Sequence, residues 1–158
     1  VQGWCIGGGL DVVAACDLRV CARDARFSLR ETKMAMVADI GSLQRLPGII
    51  GHAATAELAF TGGDIDAARA ERLGLVGRVF DDSEALLAGA RALASEIAAN
   101  PPLVVQGVKQ VLNVARRREI QAGLDYVALW NAAFVQSDDL VEALTAFAEK
   151  RAPVWTGR

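Results

Sequence analysis

A mixed α/β domain is predicted by three observations. The first third of the chain interleaves short apolar runs with glycines, the remainder carries helical periodicity with capping residues and glycine stops, and no uncharged apolar run approaches a membrane span. At 158 residues, with 53% hydrophobic and 23% charged, the chain is one domain long and can bury a core without disulfides.

The elements follow in order. "VQGWCI" and "DLRVCAR" read as buried strands on either side of a helix that starts after Gly9, because "LDVVAAC" carries the apolar run past a strand's usual length. "RFSLRE" is a third short strand. After "ADIGSLQRLPG", punctuated by Pro47 and Gly48, "HAATAELAF" forms a helix closed by "TGG". Asp66 caps "AARAERL", Gly74 sits where a left-handed helix stop belongs, and "LVGRVF" returns as a strand. "DDSEALLAGARALASEIAAN" is amphipathic, with acids in its first turn and Leu86, Ala90, Leu93, Ala94 and Ile97 on one face. Pro101 and Pro102 suit the start of the helix "PLVVQGVKQVLNVARRR", and two more helices follow, "EIQAGLDYVALWNAAFVQ" and "SDDLVEALTAFAEKR". Leu124, Val127, Ala128, Trp130, Ala133 and Phe134 cover more than one side of their helix, which fits either a subunit contact or ordinary core packing.

Composition removes several function classes. A net charge of −2 argues against a nucleic-acid footprint. Cys5, Cys16 and Cys21 form no C-x-x-C pair and share the chain with one histidine, so metal-ligand spacing is absent and the cysteines read as small core fillers. His52, at a helix start, reads as a surface or capping residue. With no G-x-S-x-G and one histidine, any general acid–base chemistry falls to carboxylates. The chain opens without methionine inside an apolar strand, so a longer polypeptide is expected upstream, and a targeting signal there would lie outside this sequence.

Gly7, Gly8 and Gly9 lie between the first strand and its helix. They allow a sharp turn, and they leave the helix's first N–H groups open to an oxygen that gains negative charge. A plain tight turn is the other reading. A dinucleotide fingerprint fails, because Gly7-x-Gly9 is followed by Leu10, Asp11 and Val12 with no third glycine. Asp11 alone fits a helix-start acid, Asp39 an N-cap of "IGSLQRL", and Glu31 a surface acid beside Arg30 and Lys33.

Taken together, "GWCIGGGLDVVAACDLR", the acid near "RFSLRE", "LQRLPGIIG", "TGGDIDAARAERLGLVGRVF" and "AFAEKRAPVWTGR" resemble the enoyl-CoA hydratase/isomerase, or crotonase, superfamily. The resemblance implies a spiral of ββα units with C-terminal helices that drive trimer assembly. Residues 1–100 would be the C-terminal part of that core and residues 101–158 the helical trimerisation region, with the N-terminal part lying outside this chain. Gly7 and Gly8 match the oxyanion-hole stretch, and Gly8 the position whose N–H is the second donor. Asp11 and Glu31 match the hydratases' two acids, Asp11 being shorter than the usual Glu. Ala38-Asp39-Ile40-Gly41 departs from the hydratases' P-G-A-G by placing a third acid, which resembles the Δ3,5-Δ2,4-dienoyl-CoA isomerase branch.

Asp11, Glu31 and Asp39 fall at that branch's spacings of 20 and 8 residues. The resemblance implies Glu31 as base at C2, Asp39 as acid at C6, and Asp11 adjusting Glu31. Three like charges in one pocket also resist joint ionisation, so one acid can stay protonated. The implied function is isomerisation of 3,5-dienoyl-CoA in fatty-acid β-oxidation, with a hydratase or another CoA-thioester enzyme as the alternative and a non-catalytic binding protein, including an RNA binder, behind both. The implied partners are an acyl-CoA thioester and further copies of the chain, as a trimer or dimer of trimers. No metal, separate cofactor, nucleic acid or membrane is expected, and the expected location is cytoplasmic, of bacterial type.

Overall fold

The computed structural model describes residues 1–157, with the side chains of 115–119 and 134 left out; the apolar residue Phe134 singled out above lies outside the described side chains. In chain order the elements are β1 (Trp4–Ile6), α1 (Gly8–Ala15), β2 (Val20–Ala22), β3 (Arg26–Ser28), a 3-10 turn (Glu31–Met34), α2 (Ser42–Arg45), α3 (Pro47–Ile50), α4 (His52–Thr61), β4 (Asp64–Asp66), α5 (Ala67–Arg72), β5 (Arg78–Phe80), α6 (Ser83–Ala98), α7 (Pro102–Phe134) and α8 (Asp138–Glu149).

The strands form two small sheets. β3 lies between β1, its parallel neighbour, and β4, which runs antiparallel, while β2 pairs in parallel with β5. The central residue of four strands points into the core: Cys5 beside Phe27, Phe27 beside Ile65, and Cys21 beside Val79 on the second sheet. Leu10 from α1, Leu29, Leu46, Leu75 and Val76 complete that core. The buried Ser28 hydroxyl is shared between the Gly62 and Gly63 carbonyls at the end of α4, tying that helix end to β3.

Asp66 caps its helix where the sequence placed it, and Asp82 and Ser137 act as caps in the same way. Asp66 Oδ1 accepts from the Arg69 N–H at 2.7 Å, Asp82 Oδ1 from the Ala85 N–H at 2.8 Å and Ser137 Oγ from the Leu140 N–H at 3.2 Å. Gly74 takes the left-handed conformation, φ 78°. His52 is exposed at the start of α4.

Three expectations change, and one strand is added. The stretch after Pro102 is one helix to Phe134 rather than two, since the charged run between the expected pair contains neither proline nor glycine to stop it. Cys16 is exposed, its Sγ donating to the Val12 carbonyl, because it closes α1 as the chain turns outward; Cys5 and Cys21 are buried as expected. The strand through "RFSLRE" stops at Ser28, and Glu31 opens a 3-10 turn instead. β4, three residues long, has too little alternation to be read from sequence, and forms because Ile65 packs beside Phe27.

Along α7, Leu103, Val104, Val108, Val111 and Leu112 stay exposed, whereas Val127 is buried. Among the described residues no helix is long and apolar enough to cross a membrane.

Candidate active site

The site begins at the turn between β1 and α1. Gly7 has φ 54° and ψ −122°, a conformation that only glycine adopts without strain. Its N–H continues the β1–β3 ladder by donating to the Ser28 carbonyl at 3.0 Å, and its own carbonyl accepts from Leu10 and Asp11 to start the helix. The Gly7 N–H is therefore occupied. The first N–H groups of α1, beginning with Gly8, have no carbonyl one turn earlier to reach and remain available to an oxygen. A Cβ on Gly7 would lie 2.9 Å from Glu31 Oε1, so the missing side chain makes room for that carboxylate. A Cβ on Gly8 would lie 3.7 Å from Ile40 Cδ1, which places the segment carrying Asp39 beside the same helix start.

Asp11 sits one turn into α1 and is 1% exposed. Its Oδ1 accepts from the Ser42 N–H at 2.6 Å, and its buried Oδ2 has no protein partner among the described residues. It is not a solvated helix-start acid. It caps a different helix, α2, across 31 residues of sequence.

Glu31 opens the 3-10 turn half-buried, with Oε2 enclosed and unpartnered. Burial pushes its carboxyl above the ordinary glutamate value; its own N–H and that of Arg30 pull the other way, while the charges of Asp11 and then Asp39 push it further up. Arg30 does not neutralise it. That guanidinium binds Asp64 and the Ser28 hydroxyl.

Asp39 lies exposed in the irregular segment between the 3-10 turn and α2. The N-cap of α2 is Gly41, with no side-chain cap, and the first N–H of that helix belongs to Asp11, so Asp39 does not cap "IGSLQRL". Of the acids separated by 20 and 8 residues, Glu31 lies against Gly7 and feels the charges of both Asp11 and Asp39. Such a group can accept a proton at one carboxylate, supply one at another, and offer backbone N–H groups to a developing oxyanion. Among the described residues no cluster of three or more His, Cys, Asp or Glu side chains is arranged to hold a metal ion.

One contact has no motif to announce it. Asn131 Nδ2, from α7, donates to the Val37 carbonyl at 3.0 Å, 94 residues away, and the only sequence hint is a polar residue in the apolar stretch "VALWNAAF".

The chain is 53% identical over 155 residues to the mitochondrial Δ3,5-Δ2,4-dienoyl-CoA isomerase of Dictyostelium discoideum, covering 98% of this chain and 53% of that protein. It is 47% identical to the peroxisomal dienoyl-CoA isomerase of Arabidopsis thaliana, covering 97% of this chain and 55% of that protein. The chain thus spans about half the length of these curated relatives. A solved enoyl-CoA hydratase/isomerase from Pseudoalteromonas atlantica T6c superposes with a TM-score of 0.92 at 32% identity, over 99% of this chain and 62% of that one, which gives the α/β crotonase fold. All of residues 1–158 match one family profile, and the chain belongs to the enoyl-CoA hydratase/isomerase family.

Proposed function

We propose that the protein isomerises 3,5-dienoyl-CoA to 2,4-dienoyl-CoA by carboxylate proton transfer, a step of fatty-acid β-oxidation. The observation that carries the reading is Glu31 seated against the Gly7 turn, its carboxyl raised by burial and by the charges of Asp11 and Asp39. The relatives named as dienoyl-CoA isomerases support it.

In this reading Glu31 removes the C2 proton and Asp39 delivers one to C6, while electron density shifts through the conjugated trienolate between them. A raised carboxyl makes Glu31 the stronger base. The Gly8 N–H holds the thioester oxygen as it gains charge, and Gly7 supplies the space for Glu31 rather than a donor. Asp11 fixes the start of α2 and lifts Glu31 through its charge. The reaction moves protons and no net electrons, so CoA enters as part of the substrate and no separate cofactor is required.

Residues 1–100 serve as the core part and residues 101–158 as the helical part, whose exposed Leu103, Val108, Val111 and Leu112 meet other copies in a trimer or dimer of trimers. Light scattering that gives a monomer at micromolar concentration overturns this assembly. The relatives' names place them in mitochondria or peroxisomes, and the cytoplasmic location expected for a bacterial-type chain is tested by fractionation of the source cells.

A hydratase is the second reading, favoured by one observation: Asp11 is buried and Glu31 half-buried, whereas Asp39 is exposed. Incubation of the product of the complete reading frame with 3,5-dienoyl-CoA and with 2-enoyl-CoA decides between them. Conjugation of the diene supports the isomerase, and water addition to the enoyl substrate with an unchanged diene overturns it.

A further inference from the structure

The segment that carries Asp39 has no regular secondary structure of its own, yet side chains tie down two of its carbonyls, and a third side chain holds the first N–H of the helix that follows it. At its start, Asn131 Nδ2 of α7 donates to the Val37 carbonyl at 3.0 Å. At its end, Arg45 Nη1 of α2 donates to the Ile40 carbonyl at 2.9 Å, and the Ser42 N–H is held by Asp11. Asp39 lies between the two carbonyls.

We infer that Asn131 and Arg45 are positioning residues that hold Asp39 by clamping the carbonyls of Val37 and Ile40 on either side of it. What Asp39 does once held rests on the isomerase reading above; that it is held does not.

The geometry is specific at both ends. Gly41 has φ 115°, and a Cβ there would fall 1.8 Å from Arg45 Nη1, so the bare backbone at Gly41 is what lets the guanidinium fold back over the segment to reach Ile40. Asn131 stands in the wall of a cleft of about 280 Å³ between the 3-10 turn and α7, with Trp130, Met36 and Val37. A carbonyl lining such a cleft would otherwise be left to water, and the amide from a long helix replaces that mobile partner with a fixed one. Asp39 itself is exposed, so its carboxylate is not located by packing. Its position therefore depends on the backbone on both sides. A proton donor must stay within hydrogen-bond reach of the carbon it serves, and small displacements are costly in rate.

The clamp is distinguishable from a general structural role because it serves Asp39 and not Glu31. Glu31 sits at the opposite end of the 3-10 turn, seated against Gly7. Loss of the clamp should separate the two proton transfers.

The test uses the product of the complete reading frame with Asn131→Leu, close in shape but without a donor, Asn131→Gln, which keeps one, and Arg45→Met. Two measurements are made: the order parameter of the Met36 methyl group, with Met34 in the 3-10 turn as internal control, and the rates of solvent deuterium exchange at C2 and delivery at C6. Asn131→Leu is expected to lower the Met36 order parameter with Met34 unchanged, and Asn131→Gln to recover part of it. Delivery at C6 should fall about 5- to 10-fold in Asn131→Leu and in Arg45→Met, the worth of one side-chain hydrogen bond, while C2 exchange stays within about twofold. An unchanged Met36 order parameter in Asn131→Leu overturns the clamp, as does a parallel fall of C2 exchange and C6 delivery. A parent enzyme that leaves 3,5-dienoyl-CoA unchanged overturns the isomerase reading alone, and the methyl measurement then decides the clamp by itself.

Discussion

Replacing Asp11 by Ala and by Asn separates its two jobs. The Oδ1 atom is the acceptor for the buried Ser42 N–H at 2.6 Å, and Oδ2 is buried with no protein partner among the described residues. Asp11→Ala strands that N–H, which costs about 1–3 kcal/mol for a buried donor left unsatisfied. Asp11→Asn keeps an oxygen at the Oδ1 position and removes the charge, so the lost charge-assisted strength is offset by relief of an incompletely paired buried carboxylate. Its net change should stay within about 1 kcal/mol. Urea unfolding at pH 7 measures both, and the order Ala well below Asn, with Asn near the parent, is the expected result. Both variants also remove one of the charges that raise Glu31, so the Glu31 carboxyl should titrate lower in each, read by carbon-13 NMR of the labelled side chain. An Asp11→Ala midpoint equal to the parent's would falsify the capping argument. A Glu31 titration that does not move in either variant would refute the electrostatic one.

Glu31→Gln should raise stability at neutral pH while lowering isomerase turnover about 100-fold or more. The folded value of Glu31 is raised, so its protonated form is favoured by the fold: that contribution is complete below the ordinary value near 4.5 and is lost as pH rises through the folded value. The variant's advantage in melting temperature should accordingly disappear when the pH drops below that ordinary value, and an advantage that persists in acid counts against burial as its cause. Asp39→Asn should cut delivery at C6 about 100-fold while leaving C2 exchange and melting temperature in place, because Asp39 does not cap α2. Equal delivery in variant and parent rules Asp39 out as the C6 acid. Gly7→Ala should cost about 1–3 kcal/mol from backbone strain. It should also displace Glu31, since the new Cβ would meet Oε1 at 2.9 Å, so a crystal structure with Glu31 unmoved contradicts the contact.

The sequence by itself determined the family, the helix start at Asp66, the stop at Gly74 and the candidacy of the three acids. These are legible because their physics is local: a capping oxygen reaches an N–H three residues ahead, and a glycine's freedom belongs to its own φ and ψ. Element ends were less legible where only packing sets them, as in the three-residue β4 and the uninterrupted α7. Only the tertiary structure decided which acid does which structural work. Asp11, Asp39 and Glu31 each had a local reading as cap or surface charge, and distant groups decide otherwise: Asp11 reaches the Ser42 N–H, Glu31 lies against Gly7, and Asp39 is left without the cap because Asp11 holds that N–H. The same holds for the turn itself, where two adjacent glycines look interchangeable in sequence. One spends its N–H on the Ser28 carbonyl because β1 lies beside β3, while the other begins a helix, where no earlier carbonyl takes its N–H. A hydrogen bond goes to whichever group the fold brings within about 3 Å, and that distance is set by strand pairing and helix packing.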